Sequence, residues 1–354
     1  MQPFDYTALP GRVIFGSGTI ARVPGALADL GGKRALVLTT PQQAAAGEQM
    51  LALLGAAGAG LFSGATMHTP VEVTEQALSH ARQVGADSVV AVGGGSTTGL
   101  GKALALRTGL PQVVVPTTYA GSEATPILGQ TENGVKTTQK GPEILPEVIV
   151  YDVDLTLSLP PALTVTSGIN AIAHAVEGLY SKDANPVISL VAEDGIRALV
   201  SAIPRIVADP CNVEARSDAL YGAWACGVTL GVMGMSLHHK LCHTLGGTFD
   251  LPHAETHTVI LPHAMAYNAA AAPEALARVA RAMGVADAPQ GMWDLAKRLG
   301  APMTLAEVGM PREGLERALQ LALANPYWNP APLEETRLRQ LLEAAYEGRP
   351  PLGE

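Results

Sequence analysis

The sequence predicts two domains of different class. An α/β domain built on a mostly parallel sheet covers residues 1–159, and an all-α domain covers residues 160–354. Three observations carry this. Short β-branched runs alternate with helical patterns as far as Tyr151. Beyond Pro160 the β-rich runs nearly vanish while helical spacing continues. The change falls at Leu159-Pro160-Pro161, where paired prolines block helix continuation.

In chain order, residues 34–38 (RALVL) read as a buried strand and 41–54 as a helix. Residues 72–84 form a second helical pattern, 88–92 (SVVAV) a strand and 97–106 a third helix. Residues 112–116 and 148–151 are further strands. Strands separated by helices require crossover connections, hence a parallel sheet. In the second domain, residues 186–206, 214–229, 273–283, 292–299, 312–323 and 334–345 have helical spacing.

The bulk composition narrows the function. Hydrophobic residues make up 47% of the 354 but aromatics only 4%, so the core is aliphatic. A net charge of −9 leaves no basic stripe for nucleic acid, and an anionic substrate would need local positive charge. Cys211, Cys226 and Cys242 show no metal-ligand spacing, and an odd, scattered set fits a reducing compartment. With no basic-then-apolar start, the expected location is the cytoplasm. The uncharged run 219–237 approaches the length of a membrane span. Its Gly, Ala, Thr and Ser content, and the histidines that follow, read instead as a buried central helix, so no membrane partner is expected.

Val92 leads into Gly93-Gly94-Gly95-Ser96-Thr97-Thr98-Gly99 and then a helix. Glycines between strand and helix let the backbone approach a pyrophosphate, which the helix N-terminus attracts. The full dinucleotide fingerprint is not met, because Thr98 occupies its third glycine position, and a glycine turn without a ligand stays open. A second loop, residues 116–123 (PTTYAGSE), follows another strand at the same sheet edge, where open parallel sheets bind ligands.

Six of the nine histidines lie within residues 238–263. Imidazole suits both metal ligation and proton transfer. His239 and His243, four apart, share a helix face. Lys240 stands where a zinc peptidase needs Glu, which removes that reading. Buried histidines hydrogen-bonded for structure remain the alternative.

Together, Gly93-Gly94-Gly95-Ser96, Pro116-Thr117-Thr118, residues 167–177 (SGINAIAHAVE) and the spaced His239, His243 and His253 resemble the iron-containing alcohol dehydrogenase superfamily over essentially the whole chain. The resemblance implies a dehydroquinate synthase-like fold, with a dinucleotide-binding domain before a helical catalytic domain. It also implies a homodimer and a metal held by Asp, His, His and His. The matching positions here are Asn170, His174, His239 and His253. An amide is a weaker ligand than a carboxylate, so no metal is expected. Gly99 stands where the glycine loop usually continues with Asp. These departures, with residues 116–123 and 133–138 (NGVKTT), look most like the maleylacetate reductase branch. That branch implies NADH- or NADPH-dependent reduction of the carbon–carbon double bond of the dicarboxylate maleylacetate to 3-oxoadipate, in the degradation of aromatic compounds. Chlorinated maleylacetates are further candidate substrates.

Carried over residue by residue, the resemblance places Gly93, Gly94, Gly95 and Ser96 on the pyrophosphate and Thr117 and Thr118 near it or the nicotinamide ribose. Thr40 stands where many members carry an Asp that repels a 2′-phosphate, so both cofactors are expected. His243 and His253 lead the catalytic candidates, followed by His239, His174 and Asn170. Lys136 and Tyr119 are candidates for contact with substrate or cofactor. His238 and His263 read as structural. Hydride transfer needs near-contact of its partners, so Gly95 and His253 are expected to line one cleft. Two rivals stay open: a metal-dependent alcohol or glycerol dehydrogenase with Asn170 as ligand, and a nucleotide-binding module without activity.

Overall fold

The computed structural model describes residues 4–132, 135–324 and 327–351. The chain divides between Leu159 and Pro160. Among the described residues, Ala8–Leu159 forms one compact unit, and those from Pro160 onward, with residues 4–7, form the other.

The first unit contains strands β1 (Arg12–Phe15), β2 (Ala35–Leu38), β3 (Gly58–Phe62), β4 (Ser88–Gly93), β5 (Gln112–Pro116), β6 (Ile127–Glu132), β7 (Val135–Lys140) and β8 (Val148–Tyr151). Its helices are α1 (Val23–Asp29), α2 (Ala44–Leu54), α3 (Val71–Gln83) and α4 (Gly95–Thr108). Six strands form a wholly parallel sheet in the order β1-β8-β5-β4-β2-β3, and β6 and β7 pair apart from it as an antiparallel hairpin. Side chains alternate across the sheet. Val90 and Val92 join one apolar core with Val23, Leu27 and Met50, while Val89 and Ala91 join another with Leu78, Leu100 and Leu104. Both faces are covered, which is why these strands read as unbroken apolar runs.

The sheet order positions the ligand edge. The chain leaves β2 toward β3 on one side and leaves β4 toward β5 on the other. Connections diverge between β2 and β4, and a crevice opens there at the carboxyl ends of the strands. Thr40 follows β2 and Gly93 ends β4, so both flank it. Gly93 is in register with Pro116, which sets the two polar loops at one level.

Several elements were not legible in advance. β1, α1 and the hairpin were missed. β3 has the sequence GAGLF, and two glycines in five residues remove the strand signal. Residues 41–54 are not one helix: a 3-10 turn at Pro41–Gln43 precedes α2.

The second unit is helical: α5 (Pro161–Leu179), α6 (Pro186–Ala208), α7 (Val213–Val232), α8 (Leu237–Phe249), α9 (His253–Asn268), α10 (Pro273–Met283), α11 (Ala288–Arg298), α12 (Gly314–Ala324) and α13 (Glu335–Glu347). α5 is buried on every side from Thr164 to Leu179, packed on α6, α7 and α9. A helix with no solvent face has no amphipathic period, so pattern reading passed over it. The uncharged run 219–237 is buried for much of its length but is not a single helix. α7 ends at Val232, and α8 starts afresh at Leu237 after a 95° bend. Among the described residues no single helix is long and apolar enough to cross a membrane, and only this bent pair passes by length and composition.

Candidate active site

In the first unit the glycine loop ends in an uncapped helix. Gly94 is the N-cap of α4 and makes no side-chain cap hydrogen bond, and Gly95 in the first turn is exposed. The Gly94 carbonyl accepts from Thr97 and Thr98, so the amides of Gly95 and Ser96 lie at the positive helix end ahead of the ladder. Side chains are excluded from this backbone. A Cβ on Gly93 would lie 2.7 Å from Gln43 Oε1, and one on Gly94 would lie 2.9 Å from Thr118 Cγ2. The second loop is laced to the first, since the Thr117 amide donates to Gly93 O at 3.0 Å. Gln43 Nε2 donates to Thr117 Oγ1 at 2.9 Å, while Gln43 Oε1 lies 3.4 Å from Thr40 Oγ1. These residues fit a dinucleotide: bare amides at a helix N-terminus, glycines that admit a pyrophosphate, and hydroxyls beside them. A Cβ at Gly99 would collide with Thr69 Oγ1, a local reason for glycine there.

Behind the loops Lys102, fully buried on α4, donates to Ser122 O at 2.5 Å, Thr125 Oγ1 at 2.9 Å and Ile127 O at 2.9 Å. Tyr151 donates to Glu123 at 2.8 Å. Burial pulls the Lys102 ammonium down to about 7, against the attraction of Glu123, and pushes the Glu123 carboxyl up.

In the second unit three helices bring imidazoles together. On α5, Asn170, His174 and Glu177 are spaced to lie on one face. On α8, His239 and His243 form one stripe and His238 and Cys242 the next. On α9, His253 and His257 are one turn apart. Ring centroids are 5.1 Å apart for His174 and His239, 5.0 Å for His239 and His257, 6.0 Å for His239 and His243, and 4.3 Å for His253 and His257. His174, His238, His239 and His257 are buried, whereas His243 and His253 are partly exposed. The two leading candidates are therefore the outward members of the cluster. His238, read as structural, belongs to it, with Nε2 3.0 Å from His257 Nδ1.

Glu177 organises this cluster. It accepts from the Ser236 amide at 3.0 Å, the Ser236 hydroxyl at 2.8 Å and the His238 amide at 2.8 Å, so it caps the start of α8 from another helix. It also takes the His239 Nδ1 hydrogen at 2.6 Å, leaving His239 Nε2 buried and without a hydrogen-bond partner. Burial alone would raise the Glu177 pKa. The hydrogen bond and charge of His239, the His238 charge and the Ser236 amide overrule it and hold the carboxyl at about 2.

Burial pushes the His238 pKa down to about 3 and that of His263 to about 4, and takes His174 and His257 well below the ordinary imidazole range. Unfolded, these groups take up protons near 6.5. The unfolded chain therefore binds more protons as pH falls below about 6.5, and the fold loses stability progressively toward the folded values near 4 and 3. The thermal midpoint is expected to fall steadily between pH 7 and pH 5, well before carboxylates titrate. A flat profile over that range would contradict neutral, buried histidines.

The donor set implied by the resemblance is changed at one position, where Asn170 replaces the Asp. Asn170, His174, His239 and His253 include no anion. Among the described residues, a three-membered group of His, Cys, Asp or Glu has donor atoms converging within 4.8 Å at His238, Cys242 and His257. At the family's metal positions, Asn170 Oδ1, His174 Nδ1 and His239 Nε2 are buried polar atoms without a protein partner. Of the remaining candidates, Tyr119 is fully buried and Thr117 nearly so. Lys136 lies in β7, but its side chain, like Asn133 and Gly134, falls outside the described residues. His263 packs edge-on against Trp293, away from the cluster pairs, in keeping with a structural role. Sequence reading assigned no role to Glu177, Gln43 or Lys102 and left His257 undecided. Glu177, three residues after His174, carried the one usable signal, a carboxylate on the histidine's helix face.

Comparison with known proteins follows the same division. Residues 10–153 match the family model for iron-containing alcohol dehydrogenase, and residues 164–346 match that for the Fe-containing alcohol dehydrogenase family, C-terminal. The chain is 57% identical to a maleylacetate reductase of Rhizobium sp. (strain MTP-10005), over 99% of this chain and 100% of that protein. The crystal structure of maleylacetate reductase from Agrobacterium tumefaciens superposes with a TM-score of 0.95 at 57% identity, covering 99% of this chain and 100% of that one. An iron-containing alcohol dehydrogenase from Corynebacterium glutamicum superposes with a TM-score of 0.92 at 41% identity, covering 98% and 97%. A glycine-loop sheet unit followed by a helical unit with histidines on three helices, matched in both parts and over the full length, places this chain in the iron-containing alcohol dehydrogenase family.

Proposed function

We propose that this chain is an NAD(P)H-dependent maleylacetate reductase, converting maleylacetate to 3-oxoadipate. The observation that carries the reading is the anion-free donor set at Asn170, His174, His239 and His253. A Lewis acid assists reduction of a simple carbonyl by polarising it, whereas maleylacetate is an enone already activated by its own ketone. It is also a dianion, and Asn170 removes a charge that would repel it.

The nicotinamide supplies hydride to the alkene carbon β to the ketone, and electrons shift onto the ketone oxygen. The residues of the second unit do the rest. Imidazole N–H groups stabilise the resulting enolate oxygen, and one imidazole delivers a proton to the α carbon as the carbonyl re-forms. His243 and His253, partly exposed, are the groups assigned to meet substrate. His239, whose Nδ1–H is given to Glu177, presents the lone pair of Nε2 as an acceptor, so the N–H donors to the enolate are the other imidazoles. In the first unit the amides of Gly95 and Ser96 would hold the pyrophosphate, and Thr117, fixed by Gln43, would offer its hydroxyl nearby. The expected assembly is a homodimer, which sedimentation tests.

Activity is expected without bound metal. NADH oxidation in the presence of maleylacetate should proceed at the same rate before and after exhaustive chelation. Loss of activity on chelation, restored by zinc or ferrous iron, would sink this reading in favour of a metal-dependent alcohol dehydrogenase. NADH and NADPH are both expected to serve. Thr40, after β2, carries no charge to oppose a 2′-phosphate, so Thr40→Asp should raise KM for NADPH about tenfold or more while changing that for NADH little, about 1.4 kcal/mol of repulsion. Equal loss with both cofactors would remove Thr40 from the ribose.

A further inference from the structure

The second stripe of α8 has its own geometry. His238 and Cys242 lie one turn apart and face His257 of α9. His238 Nε2 is 3.0 Å from His257 Nδ1 and 3.7 Å from Cys242 Sγ. The three donor atoms all lie within 4.8 Å of one another, and all three residues are buried. None is a position that the family's metal would use.

We propose that His238, Cys242 and His257 form a binding site for a thiophilic divalent ion of the zinc type. Tetrahedral zinc, with bonds of about 2.0–2.1 Å to nitrogen and about 2.3 Å to sulfur, places neighbouring donors roughly 3.3–3.6 Å apart. The observed separations of 3.0 and 3.7 Å fall within a few tenths of an ångström of that spacing. The donor chemistry fits as well. Two imidazoles and a thiolate form a borderline-soft set, and the thiolate provides the anion that the neighbouring Asn170 set lacks. The site is made by two helices whose other faces are already packed, so its shape does not depend on a loop.

Proton bookkeeping closes. His238 Nε2 and His257 Nδ1 share one hydrogen in the metal-free protein. On binding, that hydrogen moves to the outer nitrogen of whichever ring bears it, His238 Nδ1 or His257 Nε2. Both outer nitrogens are buried without a hydrogen-bond partner and can carry it. Cys242 loses its proton to solvent, so one proton is released per ion and binding weakens as pH falls. The fourth vertex is left for a solvent molecule or small ligand. An ion here would add a tie between α8 and α9, which already pack together, behind His253, whose ring is 4.3 Å from that of His257; it stabilises the fold and is not required for the metal-free rate.

The test uses Co²⁺ as the probe and does not depend on the substrate reading, because its readout is spectroscopic. The purified full-length protein titrated with Co²⁺ should develop thiolate-to-cobalt charge-transfer absorption in the near ultraviolet, saturating at one equivalent, with a rise in thermal midpoint. Cys242→Ser and His238→Gln should each lose the band, and Cys211→Ser should keep it. Both site variants are to be compared at equal folded fraction by circular dichroism, and either one that folds suffices. Visible ligand-field bands without a thiolate band would place cobalt on the other histidines and overturn the proposal. A band that survives in Cys242→Ser would assign it to another cysteine and overturn it equally.

Discussion

His253→Ala should lower the turnover number with maleylacetate by roughly a hundredfold or more, the usual scale for losing a positioned proton donor. The loss should appear in kcat, with NADH binding nearly unchanged when followed by nicotinamide fluorescence. The reason lies in the placement of the groups. His253 opens α9 and is partly exposed, whereas the dinucleotide residues belong to the first unit. His257, one turn on, is wholly buried and cannot move into its place without repacking. A variant that keeps the wild-type rate would take His253 out of the chemistry and leave His243 as the outward imidazole.

The second large effect is expected at Glu177. Its two carboxylate oxygens serve the amides of Ser236 and His238, the Ser236 hydroxyl and His239 Nδ1. Glu177→Ala strips the cap from α8 and leaves five buried donors without their acceptor, the His239 amide included. Removing one partner from a buried charged network costs about 3–5 kcal/mol. The thermal midpoint should then fall on the order of 10 °C for a unit of this size. Glu177→Gln keeps the shape and one acceptor oxygen, so its midpoint should fall less while its rate falls strongly, because His239 loses its anchor. A midpoint for Glu177→Ala within a degree of wild type would show that the amides at the start of α8 find other partners.

The contrast between what sequence revealed and what it hid has physical causes. β4 and β5 were legible because both faces of the sheet are covered and the strands are apolar throughout. The Leu159/Pro160 boundary announced itself through paired prolines. α5 was hidden because burial on all sides erases the 3.6-residue period, and β3 because two of its five residues are glycine. In the candidate site, the outward His243 and His253 were named from residue type and resemblance. Glu177 and Gln43 were not, because their importance lies in partners distant in the chain: Glu177 is 59 residues from Ser236 and Gln43 is 74 from Thr117. Local spacing carries no trace of such pairs. His238 was set aside as structural because its stripe on α8 becomes meaningful only once α9 is laid against it.

The shared anchor at Glu177 also bears on how the enzyme comes into being. One carboxylate both starts a helix and fixes an imidazole tautomer. Backbone order at the start of α8 and the setting of His239 therefore draw on the same carboxylate, and loss of that group disturbs both at once. A refolding chain should regain helical signal from this region and catalytic competence together.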